Sequence, residues 1–160
     1  MDDKGIGKEG TVMGDMRRIP CVILRGGTSK GIYLKANHLP QDKEARDKVI
    51  LEIFGSPDVR QIDGLAGADP LTSKVAIIGP STHPDADVDY TFGQVGINAP
   101  YIDYSGNCGN ISSGVGPFAI DEGFVTATGS MTTVRIHNTN TKKILIAEVP
   151  TEDGRAKVSG

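Results

Sequence analysis

Residues 104–114 (YSGNCGNISSG) place one of the two cysteines of the chain among small, turn-forming residues. An apolar segment over 115–120 follows directly. Serine, asparagine and glycine commonly begin helices, and a helix start carries free N–H groups and partial positive charge that attract carboxylates and stabilise a thiolate. The pattern therefore predicts either an acid/base or nucleophilic Cys108 beside an anion-binding site, or a buried free thiol in a tight turn. These residues alone do not choose between the two.

The polar segment 25–31 (RGGTSKG) lies between two short apolar runs. Its backbone N–H groups, hydroxyls and lysine ammonium are chemically suited to surround an anion. The segment is not a P-loop, because that motif ends in Gly-Lys-Ser or Gly-Lys-Thr and leads into a helix, whereas strand-like residues 32–34 follow Gly31. The alternative is a hairpin turn whose polar residues take no part in binding.

Lys74 follows a loop rich in Gly, Asp and Pro over residues 58–73 and begins the apolar run 75–78 (VAII). A lysine at the start of such a strand either lies at the sheet edge with its amine in solvent or is a buried amine. The pattern by itself favours the first interpretation.

Short apolar and alternating runs predict a mainly β structure around these three segments. Asp87 and Asp89 alternate with apolar residues over 86–95, so we expect them to be solvated, and we expect Cys21 to lie in the core. The polar residues 138–141 (NTNT) connect the last two strands. Strands are predicted over 18–24, 32–35, 75–78, 86–95, 101–104, 131–137 and 143–149.

Two helices are also predicted. The first is a surface helix over 43–54, where apolar residues recur at helical spacing and Gly-Ser-Pro follows. The second covers 110–122 and contains Gly114, Gly116 and Pro117, which all oppose a regular helix. Because proline inside a helix costs about 3 kcal/mol, small residues kept there indicate a helix that is packed closely on all sides.

Composition excludes several classes of protein. Among 160 residues, 23% are charged and the net charge is −3, which is ordinary for a globular protein and gives no basic patch for nucleic acid. No apolar run reaches the roughly 20 residues that span a bilayer, and no signal-peptide core is visible, so we expect a cytoplasmic protein. The two cysteines and three histidines have neither disulfide-framework nor metal-ligand spacing.

The chain is predicted to contain a disordered leader over 1–16 and one domain over 17–160. The leader is polar, glycine-rich and without periodicity. Within the polar segment 151–160, residues 156–158 resemble the start of a strand. We therefore expect the domain to be the N-terminal part of a longer protein, followed by a second, similar domain.

Three motifs together resemble the PrpF-like isomerases: residues 25–31 (RGGTSKG), 69–74 (DPLTSK) and 105–110 (SGNCGN). That family includes 2-methylaconitate cis–trans isomerase, 3-methylitaconate Δ-isomerase and 4-oxalomesaconate tautomerase. The similarity runs from about residue 18 to the end of the chain. Within it, residues 58–92 are most similar to methylitaconate Δ-isomerase.

The resemblance implies an α+β, diaminopimelate-epimerase-like fold with two similar halves, each a β-barrel-like sheet wrapped around a central helix. The substrate would lie in the cleft between the halves. Family members are about twice as long as this chain, so only the N-terminal half is matched. The resemblance also implies a homo-oligomer in the full-length form, and no cofactor or metal.

The resemblance assigns roles to named residues. Cys108 aligns with the active-site cysteine of the family and Lys74 with a lysine linked to proton abstraction, which reverses the preference given above for a solvated Lys74. Residues aligned with substrate-binding positions would line the carboxylates: Arg25, Gly26, Gly27, Thr28, Ser29, Lys30, Asn107, Gly109 and Asn110.

The implied reaction moves a C=C bond in a small unsaturated di- or tricarboxylate by a 1,3-proton shift. It needs two proton-transfer groups and donors where negative charge develops. We expect Lys74 to be the base and Cys108 to be the proton donor or a group that positions the substrate. Two alternatives remain: an epimerase or racemase that uses a second cysteine from the other half, and a non-catalytic half-domain that binds carboxylates.

Overall fold

The computed structural model describes the backbone of residues 12–13 and 16–159, and the side chains of residues 16–159. Strands β1 (Val12–Met13) and β2 (Met16–Arg17) pair in a short antiparallel ladder. The other residues of the leader predicted over 1–16 lie outside the described residues. No helix in the described part is long and apolar enough to cross a membrane.

One sheet of eight strands organises the remainder of the described chain, in the order β10-β9-β8-β6-β5-β4-β3 with β7 paired to β6. The β4–β5 and β6–β8 pairs are parallel and the other pairs are antiparallel. Every predicted strand is confirmed, with ends shifted by a few residues. The strands are β3 (Cys21–Gly26), β4 (Ser29–Lys35), β5 (Lys74–Pro80), β6 (Val88–Val95), β7 (Ile102–Asp103), β8 (Met131–Asn138), β9 (Lys143–Glu152) and β10 (Arg155–Ala156).

Helix α1 (Lys43–Phe54) confirms the predicted surface helix. The Asp42 carboxylate accepts a hydrogen bond from the backbone N–H of Ala45 at 2.9 Å and so caps the first turn. Gly55 ends the helix in the left-handed region, with φ of 73°. That conformation favours glycine, and a Cβ there would lie only 2.7 Å from the backbone nitrogen of Gly64.

The helix predicted over 110–122 is two shorter helices, α2 (Gly109–Ser112) and α3 (Val115–Asp121). The chain turns at Gly114, where any side chain would collide with the Tyr33 ring and hydroxyl. Pro117 falls within the first turn of α3, where its missing N–H would have no helical acceptor. The expected cost of an interior proline is therefore not incurred.

The sheet separates two cores. On one side, called the α3 face, Tyr33, Ala76, Tyr90 and Phe92 pack with α2 and α3. On the other side, called the α1 face, Ile32, Leu34, Val75 and Ile77 pack with α1. Helix α3 is almost fully buried and contacts β5, β8, β9 and β10, so the sheet curls around it. The predicted α+β fold, a sheet wrapped around a central helix, is confirmed.

Two predictions about single residues need correction. Asp89 is not solvated, because its side chain is only 16% exposed and is paired with His137. Its neighbour Asp87 is exposed, as expected. Cys21 lines the α1-face core but is only half-buried, and this burial raises the pKa of its thiol.

Candidate active site

Lys74 is the first residue of β5, and its amine is enclosed by the sheet and by neighbouring side chains. The residue is 8% exposed, so the interpretation as a solvated edge lysine is wrong. Its Nζ donates to Gln94 Oε1 at 2.8 Å and lies 5.4 Å from the centroid of the Phe92 ring. No carboxylate among residues 16–159 forms an ion pair with this ammonium. Within the described chain, the positive charge is balanced only by a neutral amide oxygen and an aromatic face.

Cys108 is the residue immediately before α2, with an extended backbone at φ −121°. It is half-buried and packs against the α3-face core. No described group accepts a hydrogen bond from the backbone N–H of Gly109 or Asn110. Because α2 is a single turn, its capacity to attract an anion depends on these N–H groups rather than on an extended helix dipole.

Lys74 and Cys108 lie on the same face of the sheet. Strand side chains alternate, and Ala76 and Ile78, two and four residues after Lys74, belong to the α3-face core against which Cys108 packs. Gly31 pairs directly with Lys74 across β4 and β5. The side chain of Ile111 from α2 rests on Gly31, with its Cδ1 2.8 Å from where a Cβ would stand. The turn that carries the thiol therefore covers the strand pair that carries the amine.

The β3–β4 hairpin brings its tip against α2. Gly26 and Gly27 approach Asn110 so closely that a side chain on either would collide with it. The Asn110 amide donates to Thr28 Oγ1 at 3.0 Å and to Ser29 Oγ at 3.5 Å. Residues 25–31 therefore do form a hairpin turn, as the second interpretation of this segment predicted. The hydroxyls of Thr28 and Ser29 nevertheless lie beside the turn that follows Cys108.

Arg25 and Lys30 point elsewhere. The two residues pair with each other across the hairpin. Because successive side chains of a strand point to opposite faces and their neighbours lie on the α3 face, both side chains point toward the α1 face. Arg25 Nε donates to the carbonyl of Gly27 at 3.0 Å, and Lys30 Nζ to that of Leu65 at 3.3 Å. The structure therefore does not bring these two side chains together with Lys74 and Cys108, contrary to the expectation for the whole segment.

Asn107 is exposed, and its amide oxygen accepts from Ser112 Oγ at 3.1 Å and from Asn138 Nδ2 at 3.3 Å. Asn138, the last residue of β8, and Asn140, in the turn to β9, lie in a segment for which the sequence predicted only a connection. Asn140 accepts from the N–H of Phe92 and donates to the carbonyls of Phe92 and Tyr104, each at 2.8 Å. These two amides fix the segment that leads into Cys108.

The sequence also did not predict that Gln94, Tyr33 and Tyr90 lie around this site. Gln94 carries no signal in the sequence beyond its place in an alternating strand. Tyr33 Oη donates to the Ile111 carbonyl at 2.6 Å and so holds α2 on the sheet. Burial raises the pKa of Tyr33 and Tyr90 well above the ordinary value, and the nearby Cys108 adds to the effect in both. Both phenols therefore stay neutral near the thiol.

Comparisons with known proteins show which family this chain belongs to. The profile of the family described as PrpF protein matches residues 16–160. The chain is 76% identical over 148 residues to 3-methylitaconate isomerase of Eubacterium barkeri, covering 92% of this chain and 39% of that protein. It is 55% identical over 143 residues to 4-oxalomesaconate tautomerase of Pseudomonas putida, covering 89% and 40%. The chain thus spans about two-fifths of the length of these curated relatives.

Solved structures agree in fold. A crystal structure of methylitaconate-delta-isomerase superposes with a TM-score of 0.90 at 76% identity, over 92% of this chain and 66% of that one. A probable proline racemase from Agrobacterium radiobacter superposes with a TM-score of 0.58 at 18% identity, over 87% of this chain and 39% of that one. The second likeness shows the fold alone. The family resemblance drawn from the three sequence motifs is confirmed.

Proposed function

The chain belongs to the PrpF family, and we propose that it supplies one half of an isomerase that shifts a C=C bond in a small unsaturated di- or tricarboxylate. The shift is a 1,3-proton transfer that uses no cofactor. The names of the relatives support this class, since one is a 3-methylitaconate isomerase and the other a 4-oxalomesaconate tautomerase. We favour a substrate of the methylitaconate, methylaconitate or aconitate type.

One observation carries the proposal. A buried amine without a described carboxylate partner shares a sheet face with a half-buried thiol. A buried cation is costly unless it is paired, so this position is suited to a negatively charged ligand. The N–H groups of Gly109 and Asn110 and the hydroxyls of Thr28 and Ser29 lie beside the same turn and supply further donors.

The proposed reaction begins after the Lys74 ammonium has released one proton to solvent, and the free amine then removes a proton from the allylic carbon of the bound carboxylate. The electron pair of the broken C–H bond spreads through the C=C bond into the carboxylate as a dienolate. The Cys108 thiol then protonates the far carbon, and the double bond forms at its new position. Lys74 ends as an ammonium and Cys108 as a thiolate, and one proton passed between them, through water, restores both groups.

The substrate carboxylates are held where charge develops. Donors that are fixed before the reaction stabilise the dienolate without reorganising. In this scheme the amides of Gly109 and Asn110 and the hydroxyl of Ser29 bind one carboxylate, and the Lys74 ammonium that forms in the first step stays beside the negative charge. Thr28 and Asn107 lie at the exposed rim and contact the remaining carboxylate.

A second, similar half supplies the other wall of the cleft. The length of the curated relatives, of which this chain spans about two-fifths, supports that arrangement. We place the full-length protein in the cytoplasm as a homo-oligomer whose partner is a small carboxylate rather than nucleic acid. The net charge of −3 is consistent with this choice.

Deuterium exchange tests the proposal. The chain is mixed with the complementary C-terminal part of the Eubacterium barkeri relative, and methylitaconate in D₂O is followed by proton NMR. We expect deuterium at the allylic position and interconversion of the two alkene isomers. Lys74→Ala should lower the rate by about 10²- to 10⁴-fold, whereas Lys43→Ala, on the exposed face of α1, serves as the matched control. Near-normal turnover in Lys74→Ala would sink the assignment of the base.

A further inference from the structure

Gln94 lies directly opposite Lys74 in the β5–β6 ladder and contacts its amine. The Gln94 amide nitrogen donates to the carbonyls of Pro70 at 3.1 Å and Ser73 at 2.9 Å. Only an NH₂ group can make those two bonds, so the amide cannot be turned around. Its oxygen is therefore held toward the lysine, 2.8 Å from Nζ.

We propose that Gln94 is a positioning residue that orients the amine of Lys74 for proton transfer. The proposal rests on the function proposed above and concerns the same site. It assigns no proton transfer to Gln94 itself. Gln94 acts only through the direction in which it holds the lysine nitrogen.

The chemistry of the two groups supports this role. An amide oxygen only accepts hydrogen bonds, so it takes an N–H from the lysine in both the free and the protonated forms. A free amine has one lone pair and two N–H bonds, and an N–H fixed on Gln94 turns the lone pair away from that oxygen. The Phe92 ring closes another side, 5.4 Å from Nζ. The lone pair is thereby limited to the remaining directions around the nitrogen.

Gln61 provides an internal comparison. Gln61 is 1% exposed, against 8% for Lys74, and it crosslinks the loop over residues 58–73, which Gln94 also bonds. Its Nε2 donates to the hydroxyls of Ser56 at 3.0 Å and Ser73 at 2.9 Å, and its Oε1 accepts from the N–H of Ala68 at 2.8 Å. Both glutamines bond this loop through the amide nitrogen and have a partner for the amide oxygen, but only Gln94 places that oxygen on Lys74. A purely structural role for Gln94 predicts that the two substitutions behave alike.

The test is NMR of the 160-residue chain labelled with ¹³C at the lysine ε-carbons, with the Lys74 signal assigned by its loss in Lys74→Arg. In the wild-type chain a fixed amine should give two separate ε-proton shifts for Lys74. In Gln94→Met these shifts should merge and approach those of exposed lysines. In Gln61→Met they should stay separate.

Kinetics of the chain recombined with its complementary half give the second readout. Gln94→Met should lower kcat by about 100-fold, with KM changed much less, because a catalytic group misplaced by about 1 Å loses about that much. If Gln94→Met does not fold, Gln94→Asn keeps an amide and withdraws it by one methylene, and the same merging of shifts is expected.

Two results overturn the proposal. One is a Lys74 signal in the Gln94 variants that matches the wild type. The other is an identical change in Gln61→Met. The NMR result does not depend on turnover, so an inactive recombined protein would overturn the proposed function while the positioning role was still decided by the lysine signal.

Discussion

Lys74 and Asp89 are two charged groups of one sheet that lie on opposite faces and have opposite surroundings. Asp89 accepts hydrogen bonds from His137 Nδ1 at 2.9 Å, Thr82 Oγ1 at 2.7 Å, Thr82 N at 3.1 Å and Ser81 Oγ at 3.2 Å. Among residues 16–159, the Lys74 amine has one acceptor, Gln94. A carboxylate surrounded by the protein's own donors fixes the fold, whereas an ammonium short of acceptors is suited to a ligand.

The same contrast appears in the partners of each group. The donors to Asp89 come from the loop after β5 and from β8, so the carboxylate ties that loop to a parallel neighbour of its own strand. The Lys74 amine contacts side chains of the adjacent strand β6, and Ile111 of α2 lies over Gly31, the residue paired with Lys74 in β4. Activity and stability should therefore separate between the two regions.

The largest expected effect is on turnover at the thiol. Cys108→Ala removes the proposed proton donor and should reduce isomerisation in the recombined enzyme by about 10²- to 10⁴-fold. The free energy of unfolding should change by less than about 1 kcal/mol, because the half-buried thiol makes no described hydrogen bond through its sulfur. Turnover is measured by NMR and stability by urea denaturation.

Cys21→Ala is the matched control for that experiment. It removes the other thiol, which is also half-buried but lies on the α1 face. Turnover should stay close to that of the wild type. Equal losses in the two variants would contradict the assignment of chemistry to the α3 face.

A smaller effect, on stability, is expected at Asp89. Asp89→Ala leaves His137 Nδ1 and the donors of Thr82 without their acceptor, and each buried donor left unpaired costs about 1–3 kcal/mol. We expect a total loss of about 2–3 kcal/mol in urea denaturation, because part of this region reaches water. The lysine ε-carbon signals of Lys74 should not change.

Asp85→Ala is the control for Asp89→Ala. Asp85 is exposed and its carboxylate accepts no hydrogen bond from a described residue. Stability should stay within about 0.5 kcal/mol of the wild type. If Asp89→Ala were as stable as Asp85→Ala, the view of this cluster as a structural clamp would be wrong.

The smallest expected effect is the pH dependence of the stability that the hydrogen-bonded Asp89 carboxylate contributes. Burial raises the pKa of the Asp89 carboxyl, but the hydrogen bonds from Thr82, His137 and Ser81 outweigh it and hold the pKa below the ordinary value. A pKa that is lower in the folded than in the unfolded state adds stability above the unfolded value of about 3.9, and this is lost as the pH falls toward the folded value.

Comparing wild type with Asp89→Asn isolates this contribution. The difference between their unfolding free energies should be constant from about pH 6 to about pH 5 and should shrink below about pH 4. His137 and His83, whose rings lie 5.2 Å apart, face the same cluster, so the measurement is repeated with His83→Gln. A difference that grew as the pH fell would contradict the expected sign.

Local pattern was sufficient for most elements, whereas the roles of Lys74 and Cys108 were assigned only by the resemblance to a family and stay predictions. The alternation in β6 and the helical spacing in α1 depend on neighbours a few positions away, and both were confirmed. Gly114 and Pro117 indicated an irregular helix, but the position of the break between α2 and α3 depends on Tyr33, about eighty residues earlier in the chain. Patterns that compare residues a few positions apart cannot predict a contact between Gly114 and Tyr33.

The environment of Lys74 was equally beyond local pattern. Its burial depends on Gln94 and Phe92, which reach it only through the register of β5 with β6. The directions of Arg25 and Lys30 could have been predicted, since the two-residue period of a strand places them opposite Ser29 and Gly26. The prediction for residues 25–31 was based on their residue types and did not take this alternation of side chains into account.

The close approach of the β3–β4 hairpin to Asn110 limits how this site can be remodelled. Gly26 and Gly27 are sterically locked, so enlarging either one would lift the whole hairpin away from the thiol-bearing turn. Thr28 and Ser29 occupy the same tip but carry side chains already, and their size and polarity can vary while the backbone stays docked. Libraries that seek altered substrate preference should therefore randomise positions 28 and 29 and keep both glycines.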